Sequence, residues 1–365
     1  MRCFKWARRA IDDVCKLFSN QGRGFFVNDG DSLFVVLLCA AIVCVLVILI
    51  DGWFLRPQRD PGATSVTEPL LPRIAGYALV ALALAMLWRL FRYEAVDFSF
   101  MLVLVGAMSG AIWGLDQAFF AGRRKALAAR AGTPPERVRE PVAVEYARSF
   151  FPVILLVLVI RSFLFEPFRI PSDSMMPTLF DGDFIFVSKY SYGLRLPVTN
   201  TLLVPTGAPQ RGDVIVFRLP PNPKINYIKR LVGLPGDRIR VDEANQVYVN
   251  GVLQPQTPGP LYSGPKQSQW NYAGVPTAYE QLTAKRHQIM FARGSVTSGE
   301  WTVPAGHYFF MGDNRNNSKD SRWQGDPEAP GFVPAQNLVG RAVRIWLNLD
   351  TRDGPLWNRI GNAIQ

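Results

Sequence analysis

Apolar residues crowd the chain up to about residue 166, and alternating apolar and polar positions take over beyond it. Four apolar runs stand out: Leu33 to Ile50, Ala75 to Trp88, Phe100 to Phe120 and Phe150 to Phe165. A helix needs roughly 20 apolar residues to cross a bilayer. The first run is free of charge, and the third is long but carries Asp116. The second is only 14 residues long before Arg89, and the fourth has Arg161 near its far end, from which a long side chain reaches the interface. No small-residue cleavage pattern follows the first run and further spans come after it, so it reads as a retained anchor.

Past Pro167, "DFIFVSKYSYG", "GDVIVFRLP", "YIKRLVGLPGDRIRV", "QVYVNGVL", "WTVPAGHYFFMGDNR" and "NLVGRAVRIWL" alternate or are rich in β-branched and aromatic residues, with Gly-Asp, Asn-Gly and Pro-Gly between them. That pattern predicts a mostly β domain, with a two-residue hairpin turn at Asn250-Gly251. Residues 255–299 have few strand cues and read as an insertion with some loop content. The expected organisation is a membrane extension with one or two apolar spans (1–98), two transmembrane helices around a basic loop at 121–148 (99–166), the β domain (167–350) and a C-terminal tail (351–365).

The net charge of +11 changes this picture in one respect. Much of the positive charge lies in short segments flanking apolar runs, as in "GRRKALAARAGTPPERVRE", and no motif of a nucleic-acid-binding module accompanies it. Seven Arg or Lys residues between Arg123 and Arg148 mark that loop as cytoplasmic, so the fourth run leads outward and the β domain is exported. Three runs precede the loop, which would put the N-terminus outside, yet "MRCFKWARRAIDDVCK" is basic and prefers the cytoplasm. Either the N-terminus is an exception or the short second run does not cross. The four cysteines (Cys3, Cys15, Cys39, Cys44) all lie outside the β domain and lack metal-ligand spacing; with only His287 and His307 besides, no metal site or cofactor is expected.

Candidate chemistry begins where the last apolar run ends, in "RIPSDSMMPTLFDGD" (Arg169 to Asp183). By itself this is a proline-bounded turn. A serine becomes a nucleophile only when a base takes its proton, and both histidines sit poorly for that, His287 in the low-pattern insertion and His307 in a turn. Lysine can substitute when burial lowers its pKa. Lys229 is the candidate, because in a strand it faces away from Arg230; one of the two can enter an apolar site while the other meets water or an acid.

In these residues the chain resembles the type I signal peptidases, the bacterial leader peptidases. "IPSDSMMPTL" is similar to that family's nucleophile segment, "RGDVIVF" and "YIKRLVGLPGD" to its lysine region, and "GDNRNNSKDSR" to its late serine motif, in family order, within a match from about residue 100 to 348. The resemblance implies that Ser174 is the nucleophile and Lys229 the general base of a serine endopeptidase, with Ser318 bonding the lysine amine. It implies an oxyanion hole from the Ser172 hydroxyl and the Ser174 backbone N–H, a supporting ion pair between Asp320 and Arg322, and Gly312 keeping the site uncrowded. Substrate pockets would be lined by Phe168, Ile170, Leu179, Tyr227 and Ile228, suited to the small residues that end a signal peptide. Asp173 departs from the family, which commonly has Gly between the two serines; a side chain there can restrict the backbone or add negative charge near the oxyanion hole.

The expected function is removal of signal peptides from exported preproteins at the outer face of a bacterial cytoplasmic membrane, with the bilayer and an export translocon as partners and no nucleic acid. The alternative from another class is a catalytically silent exported binding or scaffold module on the same fold. Singly, the serine pair, the strand lysine and the polar late loop each have an ordinary reading; their conjunction on an anchored, exported domain favours the enzyme.

Overall fold

The computed structural model describes residues 32–59, 69–93, 98–132, 134, 140–196, 201–264, 271–292, 294, 296–348 and 355–365. The basic N-terminal segment, with Cys3 and Cys15, lies outside the described residues. The chain divides into two compact units, Met1–Val159 and Ile160–Gln365.

The first unit is helical: α1 (Ser32–Ile50), α2 (Leu70–Tyr93), α3 (Phe98–Leu115) and α4 (Val142–Val159), with α1 and α3 each running on through a π-helical turn into a further α-helical segment. Among the described residues three helices are long and apolar enough to cross a membrane, Val36–Gln58, Met101–Arg130 and Val142–Leu164, while the apolar stretch of α2, Leu70–Met86, is shorter. Asp116, which the sequence counts against the third span, is fully buried and bonded: Trp53 Nε1 donates to its Oδ1 at 3.0 Å, Arg124 Nη2 donates to its Oδ2 at 2.8 Å, and the Arg124 Nη1 pairs with Oδ1. Trp53 also stacks on Phe120 with ring centroids 4.6 Å apart, so one carboxylate ties the end of α1 to the end of α3.

The second unit is mostly β, as the alternation predicts. In chain order its strands are β1 (Phe165–Arg169), β2 (Asp183–Ser188), β3 (Leu194–Arg195), β4 (Leu202–Val204), β5 (Val214–Leu219), β6 (Asn222–Gly233), β7 (Arg238–Val241) and β8 (Val247–Val249). There follow β9 (Val252–Leu253), β10 (Gln256–Pro258), β11 (Thr277–Leu282), β12 (Lys285–Met290), β13 (Gly299–Thr302), β14 (His307–Met311), β15 (Val333–Pro334) and β16 (Leu338–Asn348). The principal sheet runs β1-β2-β16-β5-β6-β14-β15, and smaller sheets join β13-β7-β8-β9 and β10-β11-β12. Period-two alternation sends Val214, Val216 and Ile228 into one apolar cluster and Ile215, Phe217 and Leu231 into another, on the two faces of the β5–β6 pair. The Asn250-Gly251 turn forms as predicted: both residues have positive φ, 53° and 80°, and Val249 pairs with Val252.

Three boundaries differ from the sequence reading. The β domain begins before Pro167, because β1 starts inside the apolar run, with Phe165 paired to Ser188 and Glu166 to Val187. Residues 255–299, read as an insertion with some loop content and few strand cues, contain the β10-β11-β12 sheet; its inward positions hold Glu280 and His287, and charged residues at buried positions hide the alternation. Residues 355–365 are not a free tail, since Gly361 and Ile364 donate backbone hydrogen bonds to Ile345 and Val343 of β16 at 2.8 and 3.0 Å.

Arg359 anchors that segment. Its guanidinium lies 3.7 Å from the Phe180 ring centroid, Nε donates to buried Asp183 Oδ1 at 3.0 Å, and Nη2 donates to the Thr178 carbonyl at 3.1 Å. Removing it leaves a fully buried carboxylate with less compensation. Arg359→Ala is expected to destabilise the β unit by about 3 kcal/mol in urea unfolding; a loss under about 0.5 kcal/mol, the scale of an ordinary surface change, would mean that the clasp is incidental.

Candidate active site

Ser174 sits in a single 3-10 turn, Asp173–Met175, entered from an extended Ser172 (φ −154°, ψ 160°). The turn closes through Met176 N–H to the Asp173 carbonyl at 3.1 Å, and Met175 is fully buried in the β5–β6 core, which fixes the turn against the sheet. Among the described residues the non-glycines with positive φ are Asn245, Asn250 and Thr283, so the Asp173 backbone needs no glycine.

Lys229 enters from β6, opposite Ile215 of β5, and is 4% exposed. Its Nζ is 2.7 Å from Ser174 Oγ and donates to the Ile228 carbonyl at 3.0 Å, with the Tyr227 ring centroid 5.2 Å away. Burial pulls the amine down from 10.5 to about 8, against the smaller upward pull of Asp320 and Asp313. An ammonium there donates to the serine; a neutral amine offers a lone pair to the serine O–H. The neighbouring Arg230 points to the other face and meets an acid, Nε donating to Asp313 Oδ1 at 2.7 Å and Nη2 to Oδ2 at 2.6 Å.

The Ser172 hydroxyl is 3.3 Å from Ser174 Oγ. Gly312 closes the site from behind: a Cβ there would collide with Ser318 Oγ and the Ser174 carbonyl, and its N–H donates to Asp320 Oδ2 at 3.0 Å. Asp320 and Arg322 are a buried bidentate pair (both contacts 2.8 Å), not a surface one, and Arg322 also donates to the Arg315 carbonyl at 2.6 Å. The bond expected from Ser318 to the lysine amine is absent: among the described residues Ser318 Oγ is buried against the Gly312 backbone without a hydrogen-bond partner.

Of the expected pocket residues, Ile170, Leu179 and Ile228 are buried together in the core cluster of Met175 and Ile185, with Phe168 packed at its margin. Tyr227 lies apart from them on the Lys229 face, against Phe217, and its hydroxyl donates to the Glu328 carbonyl at 2.8 Å. His287 is buried on β12, its Nε2 3.3 Å from Glu280, and has no place at Ser174; His307 Nδ1 lies 2.9 Å from the Ala305 carbonyl, which accepts from the Nδ1–H tautomer. Among the described residues no three His, Cys, Asp or Glu side chains converge as metal ligands.

Sequence reasoning overlooked Asn314. Its N–H donates to the Ser174 carbonyl and its Nδ2 to the Asp173 carbonyl, both at 3.1 Å, so the late loop holds the serine turn through backbone atoms. The signal lay in "GDNRNNSKDSR", where an amide beside charged residues in a Gly-led turn has backbone partners to find. Also unforeseen was Tyr272, whose hydroxyl donates to Asp173 Oδ2 at 3.1 Å.

The family model described as "Signal peptidase, peptidase S26" matches residues 143–347. Signal peptidase I of Pseudomonas aeruginosa is 44% identical over 69% of this chain and 93% of its own length. Signal peptidase I of Pseudomonas fluorescens is 46% identical over 70% and 93%, and that of Haemophilus influenzae 33% identical over 72% and 90%. The matched segment holds the serine turn, the buried strand lysine and the late loop that the fold brings together, and the chain belongs to the type I signal peptidases, peptidase family S26.

Proposed function

We propose that this protein is a membrane-bound endopeptidase that removes N-terminal signal peptides from exported preproteins with a Ser174–Lys229 dyad. The observation that carries the reading is the 2.7 Å approach of a fully buried lysine amine to a serine hydroxyl. Lys229 takes the Ser174 proton as Oγ attacks the scissile carbonyl, and the ammonium then protonates the leaving amine. The acyl-enzyme is hydrolysed by a water that the same amine deprotonates. Negative charge developing on the carbonyl oxygen is met by the Ser174 N–H and the Ser172 hydroxyl, donors of the kind worth about 3 to 4 kcal/mol of barrier each. No step requires a metal or cofactor.

The helices of the first unit anchor the enzyme in a bacterial cytoplasmic membrane, with the β unit on the outer face where preproteins emerge. The second apolar run of the sequence has only 14 residues before Arg89, which favours three crossings, those of the other three runs. Two of these precede the basic loop, which returns the basic N-terminus to the cytoplasm with it.

Ser174→Ala and Lys229→Met are expected to abolish cleavage of a signal-peptide-bearing preprotein by the purified full chain; normal cleavage by either would sink the dyad. The wild-type rate is expected to rise with pH through about 8 and to fall about tenfold per unit well below it, because only the neutral amine works. Stability moves the same way: between about 8 and 10.5 the unfolded lysine holds a proton that the folded one has released, so this group favours the fold increasingly as pH rises. Lys229→Met should remove that component from urea-unfolding free energies measured across the same range. In spheroplasts an impermeant thiol reagent is expected to leave Cys3 and Cys15 unlabelled until the membrane is opened; labelling from outside would mean an odd number of crossings before the basic loop.

A further inference from the structure

Asp173 poses an electrostatic problem. It is buried beside Ser174, and the site is one in which negative charge would develop during attack on a carbonyl. A carboxylate in such surroundings opposes that charge unless its own is aimed elsewhere and bonded. Tyr272 supplies the bond. The segment between β10 and β11 carries Tyr272, whose ring is buried with Met176 and Phe180, just beyond the serine turn. Its hydroxyl donates to Asp173 Oδ2 at 3.1 Å and accepts from Asn317 Nδ2 at 3.1 Å.

Asn317 directly precedes Ser318, and Asn314 in the same loop donates to the carbonyls of both Asp173 and Ser174. The Asp173 residue is therefore held at two points, by its backbone through Asn314 and by its side chain through Tyr272. Both lead into the late loop. The phenol is a dependable donor, since burial and the Asp173 carboxylate together push its proton loss far above the ordinary tyrosine range.

We infer that Tyr272 and Asp173 are positioning residues: the phenol holds the Asp173 carboxylate away from the developing oxyanion and, through Asn317, ties the nucleophile turn to the loop that carries Ser318. The inference rests on Ser174 being the nucleophile. Tyr272 then acts on the transition state and hardly on substrate binding. Losing it hurts chiefly because the carboxylate keeps its charge and loses the phenol's hydrogen bond.

The test measures kcat and KM for preprotein cleavage by the full chain in detergent. Tyr272→Phe keeps the buried ring and removes the donor; it is expected to lower kcat about tenfold with KM unmoved, the scale of a hydrogen bond to a charged group. Adding Asp173→Asn to that variant removes the charge that the phenol restrained, and should recover most of the lost kcat. A purely structural tyrosine predicts the opposite, two losses that multiply. Unchanged kcat in Tyr272→Phe, a fall confined to KM, or multiplying losses in the double variant would each overturn the inference. Should Tyr272→Phe fail to fold, as read by its thermal transition, Asn317→Ala takes its place: a kcat lowered severalfold at constant KM is expected, and an unaltered kcat counts against the tie. Ser174→Ala in the same assay separates the two levels. If it is inactive while Tyr272→Phe cleaves normally, positioning alone fails; if it is active, the dyad and this inference fall together.

Discussion

The second unit is organised around the desolvation of one amine. In the proposed dyad Lys229 would serve as a base near neutral pH only because burial makes its ammonium form costly, and that cost has to be met by the surrounding fold. The β5–β6 pair meets it by extending apolar side chains on both faces, so that a lysine within a strand reaches a dry place without breaking the ladder. The two nearby carboxylates, Asp313 and Asp320, would restore the ammonium if they were free. Each is instead committed to an arginine, Arg230 and Arg322, and their remaining upward pull leaves the amine at about 8 rather than lower.

A dry lysine is of use only if the serine hydroxyl stays beside it, and the serine comes from a different part of the chain. The connection is made through backbone. Asn314 bonds the carbonyls of Asp173 and Ser174, and Gly312 lets the late loop approach more closely than any Cβ would permit. Asp320 then holds the Gly312 N–H, so the ion pair that balances the field also fixes the loop that fixes the serine. The structural and electrostatic tasks share atoms, and a change at one residue is felt at both.

Much of this was legible in the sequence. Alternation marked the strands of the principal sheet, Asn250-Gly251 marked the turn between β8 and β9 in a smaller one, and strand parity separated Lys229 from Arg230 correctly. What failed to show was burial of charge. The β11–β12 hairpin gave few strand cues because Glu280 and His287 occupy inward positions, where Arg315, far along the chain, Gln256 and His287 all lie against the Glu280 carboxylate. The expected pocket residues illustrate the converse limit: Ile170, Leu179 and Ile228 are buried in one core cluster, and an apolar pattern reads the same for core packing as for a binding wall. Asp173 was visible as a departure, but its partner Tyr272 lies in a segment whose pattern carried no cue to its place.

The same accounting sets Lys229 apart from the other buried cations. Among the described residues five Lys and Arg side chains are buried, and four are arginines that each meet a carboxylate: Arg124 with Asp116, Arg230 with Asp313, Arg315 with Glu280 and Arg322 with Asp320. An arginine paired in this way keeps its proton and its geometry. Lys229 is the fifth, and its hydrogen-bond partners are a hydroxyl and a carbonyl, neither of which carries a charge to hold the proton. Placing a carboxylate at that position would stabilise the ammonium and silence the base. In the proposed dyad this unpaired cation is the condition for chemistry, and it is tolerable because every other buried cation nearby has been neutralised by its own partner.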